Sequence, residues 1–133
     1  MGNKSSKIST EISPGELLDK LSILEIKLEK IQDKEKREEI NKEYAILKKT
    51  QNSYIKSDKN LDKLFENLKK VNIKLWNVED QIRVCEKNKE FSEKFIQLAR
   101  DVYFCNDERA KIKLEINNHT GSKIKEIKQY TSY

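Results

Sequence analysis

The sequence predicts an all-α protein: an antiparallel bundle of three to four helices, in which the first and last helices are long. Charged residues make up 38% and hydrophobic residues 35% of the 133 positions, a mixture typical of amphipathic helices. The chain has only three glycines and one proline, fewer turn residues than a sheet protein of this length needs. Apolar residues recur at intervals of three and four along most of the chain, which is the period of a helix with a buried face.

The segment ISPGEL at residues 12–17 predicts the start of the first helix. Ser13 can cap the first turn, Pro14 suits the first helical position, and Glu16 completes a capping box. We therefore expect the first helix to begin at Pro14.

The first helix carries apolar residues on two sides. One side is a seam with alternating steps of four and three, formed by Leu17, Leu21, Leu24, Leu28 and Ile31. Ile23 and Ile26 lie on roughly the opposite side, together with Asp19 and Lys30. A helix that is apolar on two sides is usually central in its bundle or shared with a second chain. This pattern is the reason to expect a homodimer.

The seam stops at QDKEKREE and resumes out of phase at Ile40, Tyr44 and Leu47. We expect a break or wide turn near residues 34–38, followed by a second helix that ends near Ser53. A single bent helix over residues 14–55 is the alternative, because no glycine or proline forces an end there.

Two further helices follow. The segment SDKN at residues 57–60 is a cap signal, and the helix after it should end near Asn88. Its apolar face is formed by Leu61, Leu64, Leu68, Val71, Leu75, Val78 and Ile82. The last helix should begin around residues 89–92 and stop before Gly121, a natural C-terminal cap. Its apolar stripe contains Phe91, Phe95, Leu98, Val102, Ile112 and Ile116.

These elements predict three regions along the chain. Residues 1–11 are polar, and we expect a flexible N-terminal segment. Residues 12–121 form the helical bundle. Residues 122–133 form a C-terminal tail that we expect to be partly helical, because Ile124, Ile127 and Tyr130 are placed at helical spacing.

Polar residues interrupt the apolar stripes of the last two helices. Asn72 and Glu79 fall in the stripe of the third helix, and Asn106 and Arg109 fall in the stripe of the fourth. A buried charge costs several kcal/mol unless it is paired, so Arg109 needs a partner. We expect that partner to be Glu79. Arg83 lies one helical turn after Glu79 and is also within reach of it for an ion pair.

Two interpretations of this cluster remain open. It can be a self-satisfied network that fixes helix register. Alternatively, it can be a site for a small polar or anionic ligand, with arginine donors and a glutamate acceptor. The candidate ligand-binding residues are Asn72, Glu79, Arg83, Asn106 and Arg109. A helical enzyme of the chorismate mutase type would use Asp19, Glu79, Arg83 and Arg109, although no catalytic residue is assigned.

Charge and motif content exclude several classes of function. The net charge is +5, but basic and acidic residues are interleaved, so nucleic-acid binding is not expected. No apolar run approaches the roughly 18 residues of a membrane span, and there is no signal peptide, so we expect a cytoplasmic protein. Cys85 and Cys105 show no metal spacing, and no phosphate loop or catalytic motif is present. We expect no metal and no cofactor.

Three segments together resemble a family of small uncharacterised helical proteins from bacteria and their phages, classed as a domain of unknown function. They are GELLDKLSILEIK at residues 15–27, LWNVEDQIR at residues 75–83 and NDERAKIK at residues 106–113. The resemblance runs from Ile12 to Tyr130, and the ending EIKQY departs from the more acidic close of the family. It implies an α-helical protein and no established activity.

The sequence thus favours a non-catalytic helical binding or assembly module, expected to be a homodimer, with a buried polar cluster. The alternative is a small-ligand-binding protein or enzyme that uses Glu79, Arg83 and Arg109 inside the bundle. The ligand, partner and reaction are not specified by any motif.

Overall fold

The computed structural model describes residues 6–133, which fold into four α-helices without a strand. The helices are α1 (Pro14–Lys30), α2 (Lys34–Tyr54), α3 (Lys59–Lys87) and α4 (Glu93–Thr120). The predicted all-α class is therefore confirmed. Residues 1–5 of the expected flexible segment lie outside the described part of the chain. None of the helices described is both long and apolar enough to cross a membrane.

Local capping groups set the helix ends, much as the sequence predicts. The Ser13 hydroxyl oxygen accepts the backbone N–H of Glu16 at 3.2 Å, and the Asp58 carboxylate accepts the N–H of Leu61 at 2.7 Å. Gly121 ends α4 with a φ of 71°, the left-handed conformation that favours glycine. Each cap satisfies backbone groups that a helix end leaves without a partner.

Residues 14–55 form two helices rather than one bent helix. The Asp33 carboxylate caps α2 by accepting the N–H groups of Glu35 at 2.9 Å and Lys36 at 3.3 Å. The Arg37 guanidinium then donates to the carbonyl oxygens that end α1, those of Leu28 and Ile31. As a result α1 has 17 residues and is the shortest helix, although it was expected to be among the long ones.

The central position of α1 explains why its apolar residues occupy two sides. Its backbone approaches each of the other three helices, whereas α2 approaches α1 alone. Leu18, Leu21 and Ile26 are at most 1% exposed. Intramolecular packing therefore accounts for the pattern that suggested a second chain, and the homodimer stays a prediction.

The core is divided into two clusters. The main cluster combines α1, α3 and α4 around Leu18, Leu68 and Ile116. The second contains Val78, Cys85 and Leu98, and its packing neighbours also come from α3 and α4. At about 1.5 Å per residue, the 29 residues of α3 span about 44 Å and the 17 of α1 about 26 Å. We call residues 78–102 the distal arm, a two-helix extension with its own small core.

The C-terminal tail has no helix between residues 122 and 133, which corrects the expectation of a partly helical tail. The Ser122 hydroxyl donates to the carbonyl oxygen of Ile124 at 2.7 Å, and such local bonds compete with a helical turn. The tail instead runs back along α4, where the Tyr133 ring meets the rings of Tyr103 and Phe104 at centroid distances of 5.5 and 5.2 Å.

Candidate functional site

A buried carboxylate, Asp19 of α1, is the centre of the polar cluster. Its side chain is 2% exposed and accepts two hydrogen bonds from the Arg109 guanidinium of α4, with Nε at 2.9 Å from Oδ1. Asn72 of α3 donates to the same Oδ1 at 3.0 Å and to the Ser22 hydroxyl oxygen at 2.8 Å. Ser22 in turn donates to the Asp19 carbonyl oxygen at 2.8 Å. The cluster therefore connects three helices.

Asp19, and not Glu79, is the partner of Arg109, so the predicted Glu79–Arg109 pair was wrong. The Glu79 carboxylate instead pairs with Arg83, one turn further along the same helix. The Arg83 guanidinium also donates to the Glu79 carbonyl oxygen at 2.9 Å. The physical reason is that α1 contacts both α3 and α4, and this position brings its buried Asp19 carboxylate within hydrogen-bond distance of the Arg109 guanidinium.

The ionisation of this pair follows from its hydrogen bonds. Burial raises the pKa of Asp19, but hydrogen bonds from Arg109 and Asn72, together with the positive charges of Arg109 and Lys113, lower it by more, so the pKa lies below its ordinary value. The hydrogen bonds to Asp19 raise the pKa of Arg109, although burial acts in the opposite direction. Both groups are therefore charged at neutral pH.

A groove of about 590 Å³ lies beside the pair, between α1 and α3. Its apolar wall consists of Ile23, Ile26, Leu75 and Trp76. Its polar lining consists of Asn72, Glu79, Asp80, Arg83 and Arg109. The volume and the mixture of apolar walls with a few polar groups are those of small-molecule sites.

Four of the five candidate residues thus border one groove, and the fifth lies apart. Asn72 and Arg109 form its buried polar end, while Glu79 and Arg83 form its exposed rim. Asn106 accepts a hydrogen bond from Arg109 at 3.4 Å, but it faces a separate cavity between α4 and the tail. Whether any of these residues binds a ligand stays a prediction.

Asp19 was expected on the second side of α1 and in the enzyme alternative, but it was not predicted as the partner of Arg109, although its spacing carried a signal. It precedes Ile23 and Ile26 by four and seven residues, so it is a carboxylate within the second apolar face of α1. Such a position predicts a buried charge that needs a partner. Ser22 gave no comparable signal, because a small hydroxyl side chain is common on any helix face.

A second buried polar group joins α1 to α4 and was not predicted. Lys113 is 7% exposed and pairs with Glu16 at 2.9 Å and with Glu126 at 3.4 Å. The Asn117 side-chain oxygen accepts the N–H of Gly15 at 2.7 Å. Lys113 and Asn117 follow Arg109 by four and eight residues. This spacing places the three polar residues on one face of α4, and the sequence therefore indicated that face.

The polar network is satisfied internally. Within residues 6–133, every buried side-chain nitrogen or oxygen has a hydrogen-bond partner. That same stretch contains no group of three or more His, Cys, Asp or Glu side chains that could hold a metal ion. The network therefore connects three helices, and the groove lies beside it.

The comparison with curated proteins gives no match, and neither does the comparison with solved structures. One family model matches residues 8–133, and its description is "Family of unknown function (DUF6165)". The match covers nearly the whole chain and includes all four helices and the tail. The chain therefore belongs to this family of unknown function.

Proposed function

We propose that the protein is a non-catalytic binding module whose groove between α1 and α3 receives a small molecule with an apolar body. The observation that carries this proposal is the groove of about 590 Å³ beside a buried polar network. Ligand sites are typically apolar spaces with a few fixed polar groups. Trp76 and Ile23 offer apolar contact, and Asn72 and Arg109 offer polar contact at one end.

Internal satisfaction of the network supports binding without catalysis. The Asp19 carboxylate holds Arg109, and Asn72 is held by Asp19 and Ser22. A ligand then meets side chains that are already in place, which lowers the entropy cost of binding. A catalytic acid or base needs a pKa tuned towards neutrality, and here the Asp19 pKa is displaced downwards.

The alternative of an anionic ligand has less support from the geometry. Both arginines that border the groove already pair with carboxylates, Arg109 with Asp19 and Arg83 with Glu79. An anion would compete with those carboxylates for the same N–H groups.

Titration of the protein with 2-phenylethanol tests the groove. We expect saturable changes in the backbone amide signals of residues 72–83 and in the fluorescence of Trp76, which is the only tryptophan. Ile23→Gln places an amide on the apolar wall and should weaken binding about tenfold, because it removes apolar contact. Ile46→Gln, on the exposed surface of α2, is the matched control. Changes that scatter over the surface or fail to saturate would overturn the proposal.

Assembly as a homodimer is a separate part of the proposal, supported by an apolar row on α4. Ile96 and Tyr103 are 55% and 44% exposed, and they lie seven residues apart on one face beside Phe104. Ile96→Lys should therefore convert a dimer to monomer in sedimentation equilibrium, whereas Ile46→Lys on α2 should not. A strictly monomeric wild-type protein at high micromolar concentration would contradict the dimer.

A further inference from the structure

The charged side chains around the groove favour a positively charged ligand. We propose that the groove binds an organic amine, a molecule with an apolar body and a single ammonium group beside it. This inference rests on the proposed function, since it names the class of ligand for the same groove. It is carried by the position of one carboxylate, Asp80, on the groove lining.

Asp80 is the charge on the lining that no neighbour balances. Glu79 pairs with Arg83, and Arg109 pairs with Asp19, so each arginine is compensated. Among residues 6–133, no lysine, arginine or histidine nitrogen lies within 4.0 Å of the Asp80 carboxylate. The lining itself has two carboxylates, Glu79 and Asp80, and two guanidinium groups. Because Arg109 is paired with Asp19 behind the lining, Asp80 is the carboxylate of the lining without an ion-pair partner. An arriving cation restores neutrality, whereas an anion adds a second unbalanced charge.

Trp76 strengthens the same preference. It precedes Asp80 by four residues on α3, so the two side chains are neighbours on one helix face. An indole ring attracts a cation to its face, and the attraction is greater than for the other aromatic side chains. The ring and the carboxylate thus provide adjacent contacts for a single ammonium group.

The apolar wall fixes the rest of the ligand. Ile23 of α1 and Leu75 of α3 contribute apolar groups to the groove lining, and these groups favour an apolar body on the ligand. A volume of about 590 Å³ accommodates a ring with a short side chain. The expected ligand is therefore an aromatic or branched aliphatic amine rather than a polyamine.

Three probes with the same ring and different charges test the inference: 2-phenylethylamine, 2-phenylethanol and 3-phenylpropionate at pH 7. Trp76 fluorescence and backbone amide shifts report binding. We expect the amine to bind about fivefold more tightly than the alcohol, the difference that a partly exposed ion pair provides. The carboxylate should bind most weakly, and added salt should reduce the preference for the amine.

Two variants separate charge from shape. Asp80→Asn should remove the preference for the amine, so that the amine and the alcohol bind with about the same affinity. Glu66→Gln removes a carboxylate from the exposed surface of α3 outside the groove and should change neither affinity. Asp80 is exposed, so both variants should fold, and unfolding curves will verify this.

The possible outcomes distinguish the two proposals. If all three probes bind the groove with equal affinity, the amine inference is overturned while the proposed function stands. If 3-phenylpropionate binds most tightly, the inference is overturned in favour of an anionic ligand on Arg83 and Arg109. If no probe binds at residues 72–83, both the proposed function and the inference fail.

Discussion

At the scale of single residues, Asp19 holds the polar network together. Removing one partner of a buried ion pair leaves the other charge uncompensated, which costs about 3–5 kcal/mol. We therefore expect Asp19→Ala to lower the free energy of unfolding in urea by about that amount. Glu79→Ala is the matched control, because its carboxylate lies on the exposed rim and its pair with Arg83 contributes about 1 kcal/mol at most. Equal losses for the two variants would contradict the assignment of Asp19 as the partner of Arg109.

The pKa of Asp19 also predicts how stability depends on pH. Because the folded pKa lies below the ordinary value, the stabilisation is fully present above the unfolded pKa, which is about 3.9. It is lost as the pH falls through the lower folded pKa. The difference in unfolding free energy between the wild type and Asp19→Asn should therefore shrink below about pH 4. If the difference stays constant from pH 7 to pH 3, the charge of the Asp19 carboxylate contributes nothing to the free energy of unfolding.

Gly15 allows α1 and α4 to approach closely. A Cβ at this position would lie 2.5 Å from the Lys113 carbonyl oxygen and 2.9 Å from the Asn117 side-chain oxygen. We expect Gly15→Ala to destabilise the fold by about 1–3 kcal/mol, because backbone atoms must shift. The gain in helix propensity, about 1 kcal/mol, only partly offsets this.

Gly121 provides the contrasting case, because replacing it is expected to cost stability through backbone strain and not through a steric clash. Nothing lies within 4 Å of an added Cβ there, but the φ of 71° strains other residues. Gly121→Asn should therefore recover part of the stability that Gly121→Ala loses, whereas Gly15→Ser should lose at least as much as Gly15→Ala. Recovery by the larger residue at position 15 would exclude a steric role.

Residue-scale prediction from the sequence succeeded in part, for a physical reason. Asn72 and Arg109 were predicted in one polar cluster because each interrupts an apolar stripe, and both bind Asp19. Glu79, which was predicted in the same cluster, lies on the exposed rim. The partner was missed because helical periodicity orders residues around one axis and does not specify which helix faces which. Asp19 could be paired with Arg109 only once α1 was known to be central.

At the scale of the helices, ends were predicted better than packing, because a cap depends on a few adjacent residues. Ser13, Asn88 and Gly121 all lie where the sequence placed a helix boundary. The end of α1 was less clear, because Arg37 binds its last carbonyl groups from the next helix. The tail failed as a prediction, since its helical spacing was outweighed by contacts with α4.

The Asp33 cap separates α1 from α2, and its substitution tests that role. We expect Asp33→Ala to cost about 1 kcal/mol, because two backbone N–H groups lose their acceptor. Asp33→Asn keeps an acceptor oxygen at the same position and should cost a few tenths of that amount. Urea unfolding measures both, and an equal cost would indicate that charge rather than capping is responsible.

At the scale of the whole molecule, the two core clusters predict unequal local stability. Cys85 lies in the distal arm and Cys105 in the main cluster, and both are buried and free. A two-helix segment with a small core should open more readily than the rest. Two variants each keep a single cysteine: Cys105→Ala keeps Cys85, and Cys85→Ala keeps Cys105. We expect the equilibrium constant for local opening at Cys85 to exceed that at Cys105 by at least about tenfold.

Labelling rates with a thiol reagent, divided by the rates in the urea-unfolded protein, give these opening constants. That division corrects for differences in the intrinsic reactivity of the two exposed thiols. In the folded state burial raises the pKa of the Cys105 thiol, which lowers the reactivity of the closed form. Unfolding curves of each variant control for changes in global stability. Equal opening constants that match global unfolding would show that the arm and the main cluster form one cooperative unit.

Because α2 has no buried residue and its backbone approaches α1 alone, its outer face can carry an added chemical group. A spin label, a dye or a surface-coupling group on its outer face, for example at Ile46, would leave both cores and the groove untouched. Immobilised through α2, the protein would present the groove to solvent, so a library of amines could be screened against it in parallel. The outer face of α2 is therefore a suitable attachment site for experiments that search for the ligand.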